Sequence, residues 1–251
     1  LNATLIKDHP MESWAWLARA ALEAGLLHPN EDAWNALNRA IELAATERDK
    51  QDLALKAPLI GRGIDRFREV ILLVREVLSP DDPFRKLIDA DYERLLGNHA
   101  KAKSLYTEIE TSEVSTIILS EVKCRLADYS LEEKKDDEGR RLLEEATSLN
   151  FNAFALEKLL ALVIRQQDFG RALAIAERLE LSGLADWRVI QVKAQAARNL
   201  RQYQKSEEAW HRLLKEFPEK PEFLYGLADV LAAQDKIPDA LEVLKRTVEE
   251  K

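Results

Sequence analysis

Glycine and proline are scarce in this sequence, with eight of each among 251 residues. A β-rich or loop-rich fold needs more of both at its turns, so their scarcity excludes such folds. Hydrophobic residues make up 46% of the chain and charged residues 33%, which is typical of a globular protein with a core. The dominant residues are Ala, Leu, Glu, Lys and Arg, and all of them favour helices.

Basic clusters and long apolar runs are also missing. The formal net charge is -8, and no run of five or more Lys or Arg occurs. The sequence therefore lacks the basic face that nucleic-acid binding requires. The longest apolar runs, such as Val70–Val74, are too short for membrane insertion. We predict no nucleic-acid partner and no membrane insertion.

The cysteine content and the start of the chain bear on its compartment. Cys124 is the single cysteine, so it cannot form an internal disulfide, which favours a reducing compartment. The first residues, Leu1-Asn2-Ala3-Thr4, do not begin a secretory signal. We predict a cytoplasmic protein, or a periplasmic one if a signal peptide has been removed. Because the first residue is not Met, we expect a fragment, a processed form or a trimmed chain.

No set of residues indicates catalysis or metal binding. The segment Gly61-Arg62-Gly63 lacks the third glycine and the Lys-Ser/Thr ending of a phosphate-binding loop. None of the four histidines has the spacing of a metal ligand, and no cysteine cluster accompanies them; they are His9, His28, His99 and His211. We predict no catalytic residue, no metal and no cofactor.

The carboxyl-terminal part of the sequence repeats with a period of 34 residues. Residues 221–250 read PEFLYGLADVLAAQDKIPDALEVLKRTVEE, two helical patterns joined by a short turn. Ala240, Leu244 and Thr247 occupy the repeat positions of the second helix. Small residues recur in one frame at Ala172, Ser206 and Ala240. This pattern resembles the tetratricopeptide repeat family, whose unit is a 34-residue helix–turn–helix. The resemblance is clear over residues 152–250 and degenerate over 11–148.

The resemblance implies an all-α fold, a right-handed superhelical solenoid of antiparallel helix pairs. In the degenerate region we expect Trp14 and Leu17 to pack within a first helix pair, whose turn is Gly25–Asn30. We expect residues 131–138, LEEKKDDE, to form a lengthened charged loop or frayed helix ends. We divide the chain into a degenerate pair (1–48), a long or kinked helical segment (49–80) and a repeat array (81–251) that continues beyond the chain end.

The segment from Leu53 to Leu78 does not fit a repeat. Its apolar residues alternate spacings of four and three, a heptad rhythm. One interpretation is a coiled coil, which would make the chain a homodimer through residues 53–78. The other is a helix buried against the stack, with a break near Gly61–Gly63. Pro58 and these glycines favour the second interpretation because they weaken a straight helix.

The resemblance also implies a function, a protein-interaction scaffold or adaptor. Such a protein binds a partner peptide or helix in a groove lined by the first helix of each repeat. Arginine and amide side chains in such a groove favour a partner with acidic or backbone acceptor groups. The groove positions that carry over to this sequence are Arg165, Arg188, Gln191, Gln195, Arg198, Asn199 and Tyr225. The alternatives are a regulatory output domain of a larger signalling protein and, last, an all-helical enzyme.

Overall fold

A computed structural model describes residues 6–24, 31–183 and 185–245. These residues form helices joined by short turns, and no strand occurs among them. The expected turn at Gly25–Asn30 and the repeat position Thr247 lie outside the described residues. No helix within the described ranges is long and apolar enough to cross a membrane.

The helices fall into two compact units, residues up to Tyr129 and residues from Ser130 onward. The first unit contains α1 (Ser13–Ala24), α2 (Glu31–Glu42), α3 (Glu47–Gly63), α4 (Phe67–Val77), α5 (Pro83–Leu95), α6 (His99–Glu110) and most of α7 (Thr116–Glu132). The second unit contains the end of α7, then α8 (Asp136–Leu149), α9 (Ala153–Arg165), α10 (Phe169–Leu181), α11 (Trp187–Asn199), α12 (Tyr203–Glu216), α13 (Pro221–Ala233) and α14 (Ile237–Lys245).

The second unit follows the 34-residue frame closely. Helix α11 packs on α10 and α12, and α13 packs on α12 and α14. A continuous core joins the last two pairs through apolar side chains such as Ile190, Trp210, Phe223 and Leu227. Such nearest-neighbour burial is how a repeat array is stabilised. The prediction of an all-helical fold built from antiparallel pairs is confirmed.

The small residues of the frame lie at helix crossings. Ala172, Ser206 and Ala240 are all buried, as the common spacing predicts. The Ser206 hydroxyl donates a hydrogen bond of 2.7 Å to the carbonyl of Ala194 on the paired first helix. A hydroxyl is tolerated at this buried position because it has a partner.

The turns inside the helix pairs also repeat. Gln167, Arg201 and Asp235 have positive φ angles of 58°, 59° and 64° and are 34 residues apart. In each turn the next residue donates its N–H to a carbonyl of the preceding helix, as Gln202 does to Ala197 at 2.8 Å. This left-handed helix end satisfies carbonyls that the helix leaves unpaired.

The segment from Leu53 to Leu78 forms two helices, α3 and α4, rather than one. The chain turns at Ile64–Arg66, where Asp65 has a φ of 58°. Its heptad-spaced apolar residues are mostly buried within the first unit, as Leu53, Ile71 and Val74 illustrate. These apolar residues therefore pack within the chain, as the second interpretation predicts. The homodimer through residues 53–78 remains a prediction.

Of the two alternatives for residues 131–138, the lengthened loop is wrong, because α7 runs to Glu132 and α8 begins at Asp136, so most of these residues are helix ends. The expectation for Trp14 is also wrong. Trp14 does not pack inward and is 41% exposed. In place of Trp14, the neighbouring Ser13 is buried on α1, and its hydroxyl donates a hydrogen bond of 2.7 Å to the Ala40 carbonyl.

A buried polar cluster links two first helices of the first unit. Arg125 on α7 holds Asp91 on α5, with 2.9 Å between Nε and Oδ1. The Tyr106 hydroxyl donates to the same carboxylate, and Arg125 also pairs with Glu121. Asp91 and Arg125 are 34 residues apart in the sequence, so the pair fixes the register of successive repeats.

Candidate partner-binding face

The candidate site lies on three first helices of the second unit, α9, α11 and α13. Helix α11 is central because it contributes to a cleft on each side. Its residues Arg188, Val192, Gln195 and Asn199 line these clefts and are spaced by four, three and four residues. That spacing places them on one face of a helix. We call the surface formed by the two clefts the first-helix face.

The first cleft lies between α9 and α11 and has a volume of about 480 Å³. Its floor is apolar, with Leu160 and Val189 almost fully buried and Ile164 beside them. Its rim is charged and consists of Glu157, Asp186 and Arg188. An apolar floor with a charged rim suits an apolar side chain flanked by a polar or charged one.

The second cleft lies between α11 and α13 and has a volume of about 310 Å³. Trp210 of α12 reaches this cleft because Gly226 of α13 has no side chain. A β-carbon at Gly226 would lie closer than 3.0 Å to the indole ring. The remaining lining is mainly polar and includes Gln195, Arg198, Asn199, Glu222 and Asp229.

The arginines on and beside this face are paired within the chain. Arg165 lies 2.9 Å from Asp136, and Arg198 Nε lies 2.8 Å from Asp229 Oδ2. Arg188 lies 3.3 Å from Asp186, whose carboxylate also caps α11 by accepting from the backbone N–H groups of Arg188 and Val189. These pairs are exposed and therefore add little stability.

The pKa of Glu157 is raised above its usual range. Partial burial in the first cleft is the main cause, and the negative charge of Asp186 adds to it, while Arg188 opposes it. Both causes disfavour the ionised carboxylate. Among the described residues no ion pair involves Glu157 or Glu222, and Arg188 offsets the charge of Glu157 only in part.

The structure brings together some, but not all, of the residues that the sequence predicts for partner binding. Gln195, Arg198 and Asn199 line the second cleft, and Arg188 lines the first. Arg165 is exposed at the end of α9 and contacts α8 through Asp136. The lining of the two clefts does not include Gln191 or Tyr225, although Tyr225 is 54% exposed. The partner-binding site therefore remains a prediction, and only Arg188, Gln195, Arg198 and Asn199 of its predicted residues line the clefts.

Sequence reasoning missed the residues that shape the clefts. Gly226 gives a signal, because a glycine inside a helix is unfavourable unless another group needs its space. Asp186 gives another, since an aspartate directly before a helix is a typical cap. The described residues contain no group of three or more His, Cys, Asp or Glu placed to hold a metal ion.

Fold and face together define an all-helical repeat protein. A tetratricopeptide repeat model matches residues 192–251. TPR repeat-containing protein YpiA of Bacillus subtilis (strain 168) is 26% identical over 172 residues, which cover 65% of this chain and 41% of YpiA. Residues 192–251 therefore match the tetratricopeptide repeat family, and the chain spans less than half the length of this relative.

Solved structures support the same fold. The structure MamA AMB-1 matches with a TM-score of 0.55 at 15% identity and covers 66% of this chain and 90% of MamA. The structure MamA RS-1 ArsTM double mutant matches with a TM-score of 0.52 at 16% identity, over 68% and 96% of the two chains. At such low identity the likeness concerns the fold alone.

Proposed function

We propose that this chain is a non-catalytic scaffold that holds a partner protein by a segment laid along the first-helix face. The observation that carries the proposal is the pair of clefts that share one face of α11. From Arg188 to Asn199 that face is roughly 16 Å long at the rise of an α-helix. An extended peptide of about five residues spans this length.

The two clefts offer different contacts to such a segment. The apolar floor of the first cleft gains free energy when a side chain displaces water from it. In the second cleft Gln195 and Asn199 offer amide groups to a peptide backbone. Arg188 and Arg198 line the clefts, and Arg165, Gln191 and Tyr225 extend the proposed site around them.

The proposal is tested with a library of random twelve-residue peptides displayed on phage and selected on the immobilised full chain. Ala161, an exposed residue of α9 that lines the first cleft, is replaced by Phe so that the new ring fills the cleft. We expect selected peptides to bind Ala161→Phe at least about tenfold more weakly, a loss of about 1.4 kcal/mol.

The matched control is Ala232→Phe, which adds the same ring at an exposed position of α13 outside both clefts. This variant should bind the selected peptides like the unmodified chain, and thermal melts should show that both variants are folded. The proposal is wrong if no peptide is enriched, or if peptides bind Ala161→Phe and the unmodified chain equally.

A further inference from the structure

The charges of the first-helix face indicate which kind of segment it binds. Arg188 and Arg198, which line the clefts, and the neighbouring Arg165 each already contact an aspartate of the same chain: Asp186, Asp229 and Asp136, respectively. An acidic partner would have to displace these aspartates to reach the guanidinium groups. The gain from such an exchange is small, because one carboxylate replaces another at an exposed arginine.

The glutamates of the face are in the opposite situation. Glu157 in the first cleft and Glu222 in the second lack an ion-pair partner within the described part of the chain. Glu157 also lies near the negative charge of Asp186. A cation placed beside Glu157 would offset this repulsion.

The floor of the first cleft adds a second requirement. Leu160, Ile164, Val189 and Val192 surround the space beside Glu157. A segment that uses the whole cleft needs an apolar side chain for this floor and, next to it, a basic side chain for the rim. Lysine and arginine suit the rim because their stems cover apolar surface while the charged end reaches a carboxylate.

Resting on the proposed function, we propose that the first-helix face binds a basic, amphipathic peptide segment. An apolar side chain enters the first cleft between α9 and α11, and adjacent Lys or Arg side chains pair with Glu157 and Glu222. The sequence, through its arginines, predicts an acidic partner segment, whereas the structure favours a basic one. Binding is assisted at long range by the net charge of the chain, which is -8.

The peptides selected on the full chain test this inference through their composition. We expect enrichment of peptides with net positive charge that contain Lys or Arg next to Leu, Ile, Val, Met or Phe. A synthetic, fluorescein-labelled copy of the most enriched peptide is then titrated against the full chain by fluorescence anisotropy. Its affinity should fall as salt is raised from low to physiological ionic strength, because exposed charge pairs are screened.

Single charge removals identify the carboxylates involved. Glu157→Gln and Glu222→Gln should each weaken this peptide by about two- to fivefold, the range for partly exposed ion pairs. Glu216→Gln is the matched control, because it removes the same charge from an exposed position of α12 outside the clefts, and it should leave the affinity unchanged.

The possible failures are distinguishable. Acidic or uncharged peptides that lose binding to Ala161→Phe but not to Glu157→Gln would overturn the basic segment and leave the scaffold proposal intact. The basic segment is also overturned if Glu216→Gln weakens binding as much as Glu157→Gln, since net charge alone would then explain the effect. Peptides that ignore Ala161→Phe would overturn both proposals.

Discussion

At the scale of single residues, Gly226 shows how packing overrides helix propensity. Replacing a helical glycine by alanine normally stabilises a protein by about 0.5–1 kcal/mol. At Gly226 the added methyl group would collide with the Trp210 ring, which is buried and cannot move away freely. Overpacking of this kind costs about 1–3 kcal/mol, so we expect Gly226→Ala to destabilise the chain.

The measurement is the free energy of unfolding in urea, with Gly170→Ala as the control. Gly170 is exposed on α10, and its nearest neighbour would lie 3.9 Å from the new β-carbon. That variant should be neutral or more stable. If the two variants shift stability in the same direction, Trp210 does not need the space above Gly226.

The buried tyrosine of the first unit makes a prediction about alkaline pH. Burial, together with the neighbouring Asp91, raises the pKa of Tyr106 far above its usual value. The folded chain therefore keeps this proton at a pH where the unfolded chain loses it. The stability that the hydroxyl supplies is complete below about pH 10, the pKa of an unfolded tyrosine, and is lost as the pH rises further.

We expect Tyr106→Phe to cost about 1–3 kcal/mol at neutral pH, because Asp91 loses one of its buried donors. Above about pH 10 the difference from the unmodified chain should shrink by up to about 1.4 kcal/mol per pH unit. Urea unfolding from pH 8 to 11 measures it, and Tyr225→Phe, on an exposed tyrosine, is the control. A difference that is constant over this range would contradict the prediction.

At the scale of helices and turns, the left-handed residues are the least optimised part of the repeat. Gln167, Arg201 and Asp235 adopt positive φ angles, which cost residues other than glycine about 1–2 kcal/mol. Gly97 occupies the corresponding turn of an earlier pair with a φ of 81° and carries no such penalty. Glycine is therefore the residue that this turn favours.

We expect Arg201→Gly to raise the free energy of unfolding by about 0.5–1 kcal/mol, because relief of the strain exceeds the extra chain entropy of glycine. The reverse change, Gly97→Ala, should lower it by about 1 kcal/mol, with open space around the new methyl group. Thermal melts in parallel measure both changes. A loss of stability in Arg201→Gly would show that the turn tolerates arginine without strain.

The sequence predicts elements best where several signals agree. The 34-residue spacing of Ala172, Ser206 and Ala240 predicts buried helix crossings because close approach of two helices needs small side chains. The expected burial of Trp14 is wrong, because the inward face of α1 carries Ser13, whose hydroxyl donates to the Ala40 carbonyl. At residues 131–138 the sequence leaves a long loop and helix ends open, and the structure has helix ends, because Glu and Lys are themselves good helix formers.

The candidate site is predictable only in part for a different reason. Spacing along α11 places Arg188, Gln195 and Asn199 on one face, and the structure agrees. The sequence does not indicate that Arg165 and Arg198 are paired with Asp136 and Asp229. Such pairs depend on which helices become neighbours. Only the structure therefore shows which charged side chains are not already paired within the chain and can pair with a partner.

At the scale of the whole molecule, we expect a substitution in one of the two units to destabilise mainly that unit. Each of the two compact units contains its own buried centre. The first has the pair of Asp91 and Arg125, and the second has the apolar cluster around Trp210 and Phe223. In repeat proteins interactions run between neighbours, so a local defect is expected to lower protection against exchange mainly in its own surroundings.

Two substitutions, one in each unit, test this expectation. Arg125→Met leaves the buried Asp91 carboxylate without its cation and should cost about 3–5 kcal/mol, whereas Gly226→Ala strains the packing against Trp210. Hydrogen exchange followed by mass spectrometry should show faster exchange in α5 and α6 for the first variant and in α12 and α13 for the second. Helix α7 belongs to both units, so its amides are left out of the comparison. Equal acceleration along the whole chain in both variants would mean that the two units unfold as one.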